Sequence, residues 1–331
     1  MAIRVGLNGF GRIGRSVFRI LHQRDDVDVV AVNDLFDNDQ LAYLLKFDTV
    51  MGVFPDEVRV AGDSMYAGGK EVVMTARSDP RQIPWRTLEV DYVIECTGVF
   101  RTREPLEKHL QAGAKKVIVS APGQDVDNTV VYGVNHKSLK PTDAVISNAS
   151  CTTNCIAPVV KTLNDKFGIN KGLLNTIHSY TTSQKILDLA DKDMRRARAA
   201  AVNLIPSTTG AAIAVGLVLP ELNGKLDGFS MRVPTINVSV VDLTFRASRA
   251  TTIEEVNAAV KAASEGSMKG ILGYNDAPLV SIDFNHDPRS SIFDAGAGIA
   301  LDGTFIKVVS WYDNEYGYTC NMLRMVQHVS K

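Results

Sequence analysis

The residues best suited to chemistry are grouped around one cysteine, in the run Ser147-Asn148-Ala149-Ser150-Cys151-Thr152-Thr153-Asn154-Cys155. Apolar residues recur at helical spacing from Ile156 to Phe167, and Ser150 is a suitable N-cap, so Cys151 is predicted in the first turn of a helix. Unpaired backbone N–H groups and the helix dipole at that position favour a thiolate over a thiol. We therefore predict a nucleophilic Cys151 with a depressed pKa. The alternative is a small core cysteine that happens to begin a helix.

A glycine-rich turn lies near the start of the chain, in the run Gly9-Phe10-Gly11-Arg12-Ile13-Gly14. A predicted strand, residues 3–8, precedes this turn, and a predicted helix, residues 16–23, follows it. The next predicted strand ends in an acid, Asp34, about 20 residues farther on. Strand, turn, helix and acid in this order bind a dinucleotide, with its pyrophosphate on the helix N-terminus. A carboxylate there accepts hydrogen bonds from ribose hydroxyls and repels a 2′-phosphate, which predicts NAD rather than NADP.

Strands and helices alternate over residues 1–150, which predicts an α/β domain with a doubly wound parallel (Rossmann) sheet. Ligands bind at the carboxyl ends of the strands in such a sheet, so Thr97 and Gly98, which follow a buried strand, are expected near the cofactor. Long strands with few helices predict an α+β catalytic domain with a mainly antiparallel sheet over residues 151–314. Its predicted strands include residues 229–233, 238–246, 279–284 and 305–312.

The length of 331 residues predicts two domains. The composition, 45% hydrophobic and 22% charged, is that of a globular protein. The formal net charge is −1, from 36 basic and 37 acidic residues, so strong nucleic-acid binding is not expected. The apolar runs are too short for a membrane span, and the sequence suggests no signal peptide. Four cysteines without a CxxC pair indicate a reducing compartment, so a cytoplasmic protein is predicted. No metal site is predicted, because no Cys/His pair accompanies Cys151 and Cys155.

Two stretches in the second half carry further polar residues suited to a site. A predicted strand, residues 172–180, ends near His178, and the turn Pro206-Ser207-Thr208-Thr209-Gly210 opens an apolar helix. Backbone N–H groups at such a turn can hold a phosphate. Taken alone, His178 is better explained as a hydrogen-bonded core histidine than as a catalytic group.

Together these motifs resemble those of the phosphorylating glyceraldehyde-3-phosphate dehydrogenases of bacterial type. The likeness extends from residue 6 to residue 318 and includes the runs quoted above. Its other segments are His178-Ser179-Tyr180-Thr181, Arg195-Arg196-Ala197-Arg198-Ala199-Ala200, Arg232-Val233-Pro234-Thr235 and Trp311-Tyr312-Asp313-Asn314-Glu315-Tyr316-Gly317-Tyr318.

The resemblance implies covalent catalysis. The Cys151 thiolate would attack the aldehyde of glyceraldehyde 3-phosphate to give a thiohemiacetal, and hydride transfer to NAD would leave a thioester. His178 is implied as the partner that stabilises the thiolate and then removes the hemiacetal proton, a role worth ~10²–10⁴-fold. Inorganic phosphate would then release an acyl phosphate, with the Cys151 backbone N–H as a candidate oxyanion donor.

The resemblance also implies binding residues and an assembly. Residues 181–203 would pack against a neighbouring subunit in a homotetramer, and the last helix, residues 315–331, would pack back on the first domain. The substrate phosphate and the attacking phosphate would be bound by Ser150, Thr152, Thr181, Arg196, Thr209, Gly210 and Arg232. The cofactor NAD would be bound by Gly9, Gly11, Arg12, Ile13, Asp34, Arg77, Thr97, Gly98, Ser120 and Asn314.

Two departures and two alternatives accompany this interpretation. Ser183 stands where many bacterial members carry an acid, and Ala190 stands where many NAD-selective members carry proline. The related erythrose-4-phosphate dehydrogenases share the run around Cys151, although the complete turn at residues 207–210 argues against them. A nucleotide- or RNA-binding protein with an idle catalytic site is an alternative of another class, and the near-zero net charge argues against it.

Overall fold

The computed structural model of the chain describes residues 2–330, which divide into two compact units. These units differ from the predicted division in three places. Residues 131–136 and Ser150 belong to the second unit, and the last helix joins the first unit only from Met322. None of the helices within the described range has the length and apolar character needed to cross a membrane. The first unit contains Met1–Val130, Lys137–Ala149 and Met322–Lys331, and the second contains Val131–His136 and Ser150–Asn321.

The first unit is built on one large sheet. Its helices are α1 (Arg12–His22), α2 (Asn38–Lys46) and α3 (Arg103–Gln111). Its strands are β1 (Ile3–Asn8), β2 (Val27–Asn33), β3 (Phe47–Asp48), β4 (Gly52–Val53), β5 (Val58–Ala61), β6 (Ser64–Ala67), β7 (Lys70–Thr75), β8 (Tyr92–Glu95), β9 (Lys116–Val119), β10 (Asn128–Thr129) and β11 (Val145–Ser147). The sheet has the order β10-β11-β9-β8-β1-β2-β7-β6-β5, and β3 pairs with β4. Pairing is parallel from β10 to β7, which confirms the predicted doubly wound fold.

Apolar packing holds the parallel strands of the first unit in place. Leu106 of α3 packs against Val117 and Val119 of β9 and against Val145 of β11, and all four side chains are buried. Burial of each such side chain contributes about 1.5–3 kcal/mol. Parallel strands covered in this way end together at one edge of the sheet, where polar residues can be assembled.

The second unit is built on a mainly antiparallel sheet, as predicted. Its helices are α4 (Cys151–Phe167), α5 (Ala211–Val218) and α6 (Ile253–Glu265), and the chain closes with α7 (Tyr316–Val329). Its strands are β12 (Ile169–Ser179), β13 (Ile205–Thr208), β14 (Leu226–Val233), β15 (Ser239–Ala247), β16 (Leu272–Asn275), β17 (Ser291–Leu301) and β18 (Phe305–Tyr312). The order is β13-β14-β12-β15-β18-β17-β16, in which only the β12–β14 and β16–β17 pairs are parallel among the described strands.

The predicted strand at residues 279–284 is wrong. This segment is a loop that ends in a short 3₁₀ turn, Ser281–Phe284. The Asp283 carboxylate accepts a hydrogen bond from the backbone N–H of Val280 (2.9 Å), and such local bonds compete with strand pairing. The neighbouring strand β17 was not predicted, because alanine and glycine occupy residues 295–298, where strand propensity is low.

Candidate active site and cofactor pocket

Cys151 is the first residue of α4 and Ser150 is its N-cap, as predicted. Ser150 Oγ accepts a hydrogen bond from the backbone N–H of Thr153 (3.1 Å). Farther along the helix, Ile156 and Val160 are buried, which anchors α4 in the core of its unit. The sulfur is therefore held at the positive end of a 17-residue helix.

His178, near the end of β12, faces this cysteine. The distance from Cys151 Sγ to His178 Nε2 is 3.4 Å, which is within hydrogen-bonding range for sulfur. Parallel pairing of β12 with β14 sets His178 opposite Arg232, whose Nη1 lies 2.8 Å from His178 Nδ1. The second unit thus brings together the two residues predicted to be catalytic and one predicted to bind phosphate.

Two neighbours approach the same nitrogen of His178 with opposite hydrogen-bonding requirements. The Ser179 carbonyl oxygen lies 2.6 Å from Nδ1 and can only accept, whereas the Arg232 guanidinium can only donate. With the proton on Nδ1, Nε2 accepts a hydrogen bond from the Cys151 thiol. With the proton on Nε2, His178 donates a hydrogen bond to a Cys151 thiolate. These surroundings therefore support both protonation states of the cysteine.

Burial governs the ionisation of this pair. Burial lowers the pKa of His178 to about 3, and the positive charge of Arg232 acts in the same direction. Burial of the sulfur raises the pKa of the Cys151 thiol, although part of the residue reaches the surface, and the opposing effects of Arg232 and Thr152 are smaller. The predicted depression of the Cys151 pKa is contradicted, because sequence reasoning included the helix dipole but not the desolvation of the sulfur. At neutral pH His178 is uncharged and can accept a proton.

Arg232 is a half-buried cation without a carboxylate partner among residues 2–330. Its hydrogen bonds go to the ring of His178 and to the Ser179 carbonyl oxygen (3.0 Å). Burial lowers the pKa of Arg232, and the nearby charge of Arg196 lowers it further. A partly desolvated guanidinium beside a second cation is suited to an anionic ligand.

Tyr312, the last residue of β18, is a site residue that sequence reasoning did not select. Its hydroxyl lies 2.9 Å from the hydroxyls of both Thr152 and Thr176, and its ring packs edge-on against the His178 ring. Burial raises the pKa of Tyr312 well above its usual value, so the hydroxyl remains protonated. The hydroxyl of Thr152, which was predicted to bind phosphate, is thus hydrogen-bonded to the Tyr312 hydroxyl in the same unit. A signal was present in the sequence, because Tyr312 lies inside a run that carries the family resemblance.

The other residues predicted to bind phosphate lie on the segment after β12 and at the start of α5. Thr181 Oγ1 is 3.0 Å from Ser183 Oγ, and Arg196 Nε is 3.3 Å from Ser207 Oγ. Of this group, Arg196 is close enough to Arg232 for their charges to interact. The two residues at the N-terminus of α5 are Thr209 and Gly210.

A pocket of about 400 Å³ lies at the carboxyl ends of the strands of the first unit, where a dinucleotide was predicted. Its volume is in the range of small-molecule sites, which is roughly 300–1,000 Å³. The predicted cofactor residues that line it are Gly9, Gly11, Asp34, Arg77 and Thr97. The lining residues that were not predicted are Asn8, Asn33, Leu35, Phe36, Ser78, Cys96, Val99 and Phe100.

The glycine-rich turn fits the pyrophosphate of a dinucleotide. Gly9 has a φ of +92°, and a Cβ at this position would lie 2.7 Å from the backbone nitrogen of Thr97, so only glycine is accommodated. Gly11 is the N-cap of α1, and no atom beyond its chain neighbours lies within 4 Å of a Cβ built there. The first N–H groups of α1 therefore border open space into which phosphate oxygens can enter.

Asp34, directly after β2, is fixed by backbone groups. Its Oδ2 accepts a hydrogen bond from the N–H of Phe10 (2.7 Å), and its Oδ1 accepts one from the N–H of Phe36 (3.1 Å). Each carboxylate oxygen retains a lone pair for a further donor. The residues present thus fit a dinucleotide whose ribose hydroxyls are unsubstituted.

The remaining predicted cofactor residues do not line this pocket. Arg12 begins α1 and its guanidinium forms an ion pair with Asp48. Asn314 belongs to the second unit, where its Oδ1 accepts a hydrogen bond from Ser239 Oγ (2.8 Å). The others are Ile13, Gly98 and Ser120 in the first unit.

Comparison with known proteins gives matches to both units. A family model described as "Glyceraldehyde 3-phosphate dehydrogenase, NAD binding domain" matches residues 3–103, and one described as "Glyceraldehyde 3-phosphate dehydrogenase, C-terminal domain" matches residues 150–314. The chromosomal glyceraldehyde-3-phosphate dehydrogenase of Cupriavidus necator is 56% identical over 98% of this chain and 97% of its own. The enzyme of the same name from Geobacillus stearothermophilus is 55% identical over 100% and 99%. Glyceraldehyde-3-phosphate dehydrogenase 1 of Bacillus subtilis is 53% identical over 100% and 99%.

Full-length identity of this degree agrees with the geometry of both sites. The NAD-binding family model covers all the residues that line the pocket of the first unit, and the C-terminal family model begins at the N-cap of α4. The chain therefore belongs to the glyceraldehyde 3-phosphate dehydrogenase family of NAD-dependent oxidoreductases.

Proposed function

We propose that this enzyme oxidises and phosphorylates glyceraldehyde 3-phosphate to 1,3-bisphosphoglycerate with NAD, in glycolysis or gluconeogenesis. The observation that carries the proposal is the 3.4 Å contact between Cys151 Sγ and His178 Nε2 at the start of α4. A sulfur nucleophile beside an uncharged histidine is the arrangement that covalent oxidation of an aldehyde requires. The names of the curated relatives support the identity of the substrate.

In the first step the Cys151 sulfur attacks the aldehyde carbon while His178 Nε2 accepts the thiol proton. His178 can do so because its lowered pKa leaves it uncharged at neutral pH. The proton then passes from His178 to the former carbonyl oxygen, which gives a neutral thiohemiacetal on Cys151. During the attack, backbone N–H groups in the first turn of α4 are candidate donors to the developing oxyanion.

In the second step His178 removes the hydroxyl proton of the thiohemiacetal as hydride leaves the carbon. The products are a thioester on Cys151 and an imidazolium at His178. Bound NAD supplies the hydride acceptor for this step. The Ser179 carbonyl oxygen, 2.6 Å from Nδ1, stabilises the imidazolium by accepting its second N–H.

In the third step inorganic phosphate attacks the thioester carbon, and the Cys151 sulfur leaves and recovers a proton from His178. We assign Arg232 to both phosphates, because its guanidinium has no carboxylate partner in the described part of the chain. Thr181 and Arg196 are assigned to the substrate phosphate. The attacking phosphate is assigned to Ser150, Thr152, Thr209 and Gly210.

We assign NAD to the pocket of the first unit. Its glycine turn and Asp34 bind the pyrophosphate and a ribose in this proposal, with Arg77 and Thr97 in the wall. Because Asp34 repels a 2′-phosphate, the enzyme should use NADP poorly. Arg12, Ile13, Gly98, Ser120 and Asn314 remain assigned by the family resemblance.

We also propose that the enzyme is a cytoplasmic homotetramer. Within residues 181–203, the side chains of Ile186, Leu187, Leu189 and Met194 are 84%, 76%, 64% and 88% exposed. Apolar residues clustered on one exposed segment favour a surface that a second subunit covers. Cys96, Cys151 and Cys155 form no disulfide bond, which is typical of proteins from a reducing compartment.

The test is NADH formation from glyceraldehyde 3-phosphate and NAD, with and without inorganic phosphate. We expect turnover that depends on phosphate and is abolished in Cys151→Ser. Cys155→Ser is the matched control, because Cys155 lies one turn later on α4 and contacts Ser291 rather than His178. This control should retain activity close to that of the wild type.

The same assay with erythrose 4-phosphate and with NADP separates the alternatives. A preference for the four-carbon aldehyde without a phosphate requirement would show that water rather than phosphate resolves the thioester. That result would overturn the proposed function in favour of the related dehydrogenase. A protein that binds NAD but turns over neither aldehyde would instead have an idle catalytic site.

A further inference from the structure

The backbone carbonyl of Phe10, inside the glycine-rich turn, is hydrogen-bonded to a buried arginine of α1. Arg15 is 7% exposed, and its Nη1 donates to the Phe10 carbonyl oxygen (2.8 Å). The first hydrogen bond of α1 goes to the carbonyl of its N-cap, Gly11, which is one residue later. A buried carbonyl before the N-cap needs another donor, and Arg15 supplies it.

Phe10 is also held by two contacts that do not involve Arg15. Its N–H donates to Asp34 Oδ2 (2.7 Å), which fixes the Gly9–Phe10 peptide. Its side chain is fully buried and packs edge-on against the ring of Phe18, with 5.7 Å between the ring centroids. The Arg15 hydrogen bond therefore has a separate role, because it fixes the next peptide, between Phe10 and Gly11.

The guanidinium of Arg15 is itself anchored by Asp48, the last residue of β3. Arg15 Nη2 lies 3.7 Å from Asp48 Oδ2, and the Asp48 side chain is 2% exposed. Asp48 Oδ1 accepts hydrogen bonds from the N–H groups of Val50 and Met51, both at 2.9 Å. Because a guanidinium is planar and rigid, a carboxylate near one nitrogen helps to set the direction in which the other nitrogen donates.

The orientation of the Phe10–Gly11 peptide determines which polar group the turn presents to a ligand. The peptide is trans, so its C=O and N–H point in opposite directions. With the carbonyl bonded to Arg15, the N–H of Gly11 points away from Arg15, and Gly11 lines the cofactor pocket. Gly11 has no side chain to restrict rotation of this peptide, and rotation would place a carbonyl oxygen where the N–H now lies. A carbonyl oxygen there would repel a phosphate.

We propose that Arg15 is a positioning residue that holds the glycine-rich turn in the conformation that binds the pyrophosphate. Arg15 acts through the Phe10–Gly11 peptide and does not need to touch the cofactor. A hydrogen bond from a charged donor changes an equilibrium constant by roughly tenfold or more, so its loss should weaken pyrophosphate binding by about tenfold. The inference rests on the proposed assignment of NAD to this pocket.

The test is measurement of the dissociation constants of NAD⁺, ADP-ribose and adenosine for the wild type and Arg15→Met. Methionine retains an apolar stem but cannot donate a hydrogen bond. We expect the constants for NAD⁺ and ADP-ribose to rise about tenfold. The constant for adenosine, which has no phosphate, should stay close to that of the wild type. In the steady state, the KM for NAD⁺ should rise by a larger factor than kcat falls.

Arg19→Met is the matched control, because Arg19 lies one turn later on α1 and is 8% exposed. Its guanidinium also donates to backbone carbonyl oxygens, those of Leu45 (2.5 Å), Gly52 (2.9 Å) and Met51 (3.2 Å). None of these three residues belongs to the glycine-rich turn. Arg19→Met should therefore lose stability in urea unfolding and keep the NAD⁺ affinity of the wild type.

Two results would overturn the inference and leave the proposed function intact. One is an equal loss of NAD⁺ affinity in Arg15→Met and Arg19→Met, and the other is a loss in Arg15→Met that is as large for adenosine as for ADP-ribose. Either result would show general damage to the first unit. A wild type that binds neither NAD⁺ nor ADP-ribose would overturn the cofactor assignment and the inference together. These outcomes are distinct because binding is measured without turnover.

Arg15→Lys decides the question if Arg15→Met does not fold. Lysine retains the positive charge beside Asp48, but one nitrogen replaces the two that approach Asp48 and Phe10. Because a cation binds a carboxylate more strongly than a neutral carbonyl, we expect the Phe10 carbonyl to lose its donor. NAD⁺ affinity should then fall about threefold or more, with adenosine affinity unchanged. Wild-type NAD⁺ affinity in Arg15→Lys would overturn the inference.

Discussion

The hydrogen bonds of one histidine explain how a buried pair can perform two different proton transfers. Ser179 and Arg232 approach the same nitrogen of His178, one as acceptor and the other as donor. With a proton held on Nδ1 by the Ser179 carbonyl oxygen, Nε2 can gain a proton to form the imidazolium and lose it again without movement of a side chain. Nε2 can accept the thiol proton of Cys151 in one step and donate to the sulfur in another.

The lowered pKa of His178 predicts a pH-dependent loss of stability. An unfolded histidine titrates near 6.5 and the folded one at about 3, so the unfolded state binds more protons between these values. The free energy of unfolding is highest above pH 6.5 and falls as pH decreases toward 3, by ~1.4 kcal/mol per pH unit. We expect the wild type to lose stability relative to His178→Asn between about pH 6.5 and 4.5, as measured by urea unfolding.

Comparing the pH dependence of unfolding in the wild type and in His178→Asn isolates the contribution of the buried, neutral histidine. Carboxylates that titrate in the same range affect the wild type and His178→Asn equally, so they cancel in the comparison. If the free energies of unfolding of the two proteins changed equally with pH, a buried, uncharged His178 would be contradicted.

At the level of helices and strands, the features that the sequence predicted were those with local causes. The start of α4 follows from a Ser N-cap and helical spacing, and the turn before α1 follows from three glycines at fixed positions. The contacts of Tyr312 and the hydrogen bonds that link Asn33, Asn8 and Glu95 depend on which strands are neighbours and in which register. A single sequence does not specify this register, so these residues were missed.

Two predictions were wrong, one for a local reason and one for a tertiary reason. The Asp283 side chain bonds its own loop and converts an apolar segment, residues 279–284, into a 3₁₀ turn. The pKa of Cys151 was predicted from the helix start, whereas the degree of burial depends on tertiary packing. The spacing of apolar residues predicts which face of a helix is buried, but it does not predict how deeply one sulfur atom is buried.

The N-cap of α4 should affect stability and catalysis together. Ser150→Ala removes the acceptor for the Thr153 N–H and should destabilise the protein by about 0.5–2 kcal/mol. Activity should fall as well, because the same turn holds Cys151. Thr252→Ala is the matched control, since Thr252 caps α6 through the N–H of Glu255 (3.2 Å) in the same unit.

The control should lose a similar free energy of unfolding and keep its activity. Urea unfolding and kcat/KM measured on both variants give the comparison. Equal activity losses in the two variants would contradict a specific role for the first turn of α4.

Gly9→Ala should abolish NAD binding while the protein remains folded. The new Cβ would lie 2.7 Å from the Thr97 backbone, so the turn that borders the pocket must move. Gly62→Ala is the matched control, because Gly62 also has a positive φ (+59°) but nothing lies within 4 Å of its Cβ. Calorimetry should show wild-type NAD affinity for the control, and retained affinity in Gly9→Ala would contradict the pocket assignment.

At the scale of the whole molecule, two sheets with different topologies have different roles. In the proposed function, the parallel sheet presents strand ends and a helix N-terminus to the cofactor. The mainly antiparallel sheet places His178 opposite Arg232. Composition and periodicity predicted both architectures, since alternation of strands and helices differs from a succession of long strands. Neither predicts an assembly, which depends on how exposed apolar residues are distributed over the surface.

Assembly is testable at a single exposed position. Leu187 is 76% exposed on the segment 181–203 and should be buried in a homotetramer, so Leu187→Asp would place an unpaired charge in an interface. We expect sedimentation velocity to show smaller species for this variant at concentrations where the wild type is a tetramer. Leu187→Met preserves the apolar contact and should leave the assembly intact. A wild type that sediments as a monomer would refute the tetramer, whereas a tetrameric Leu187→Asp would show that this segment is not part of the interface.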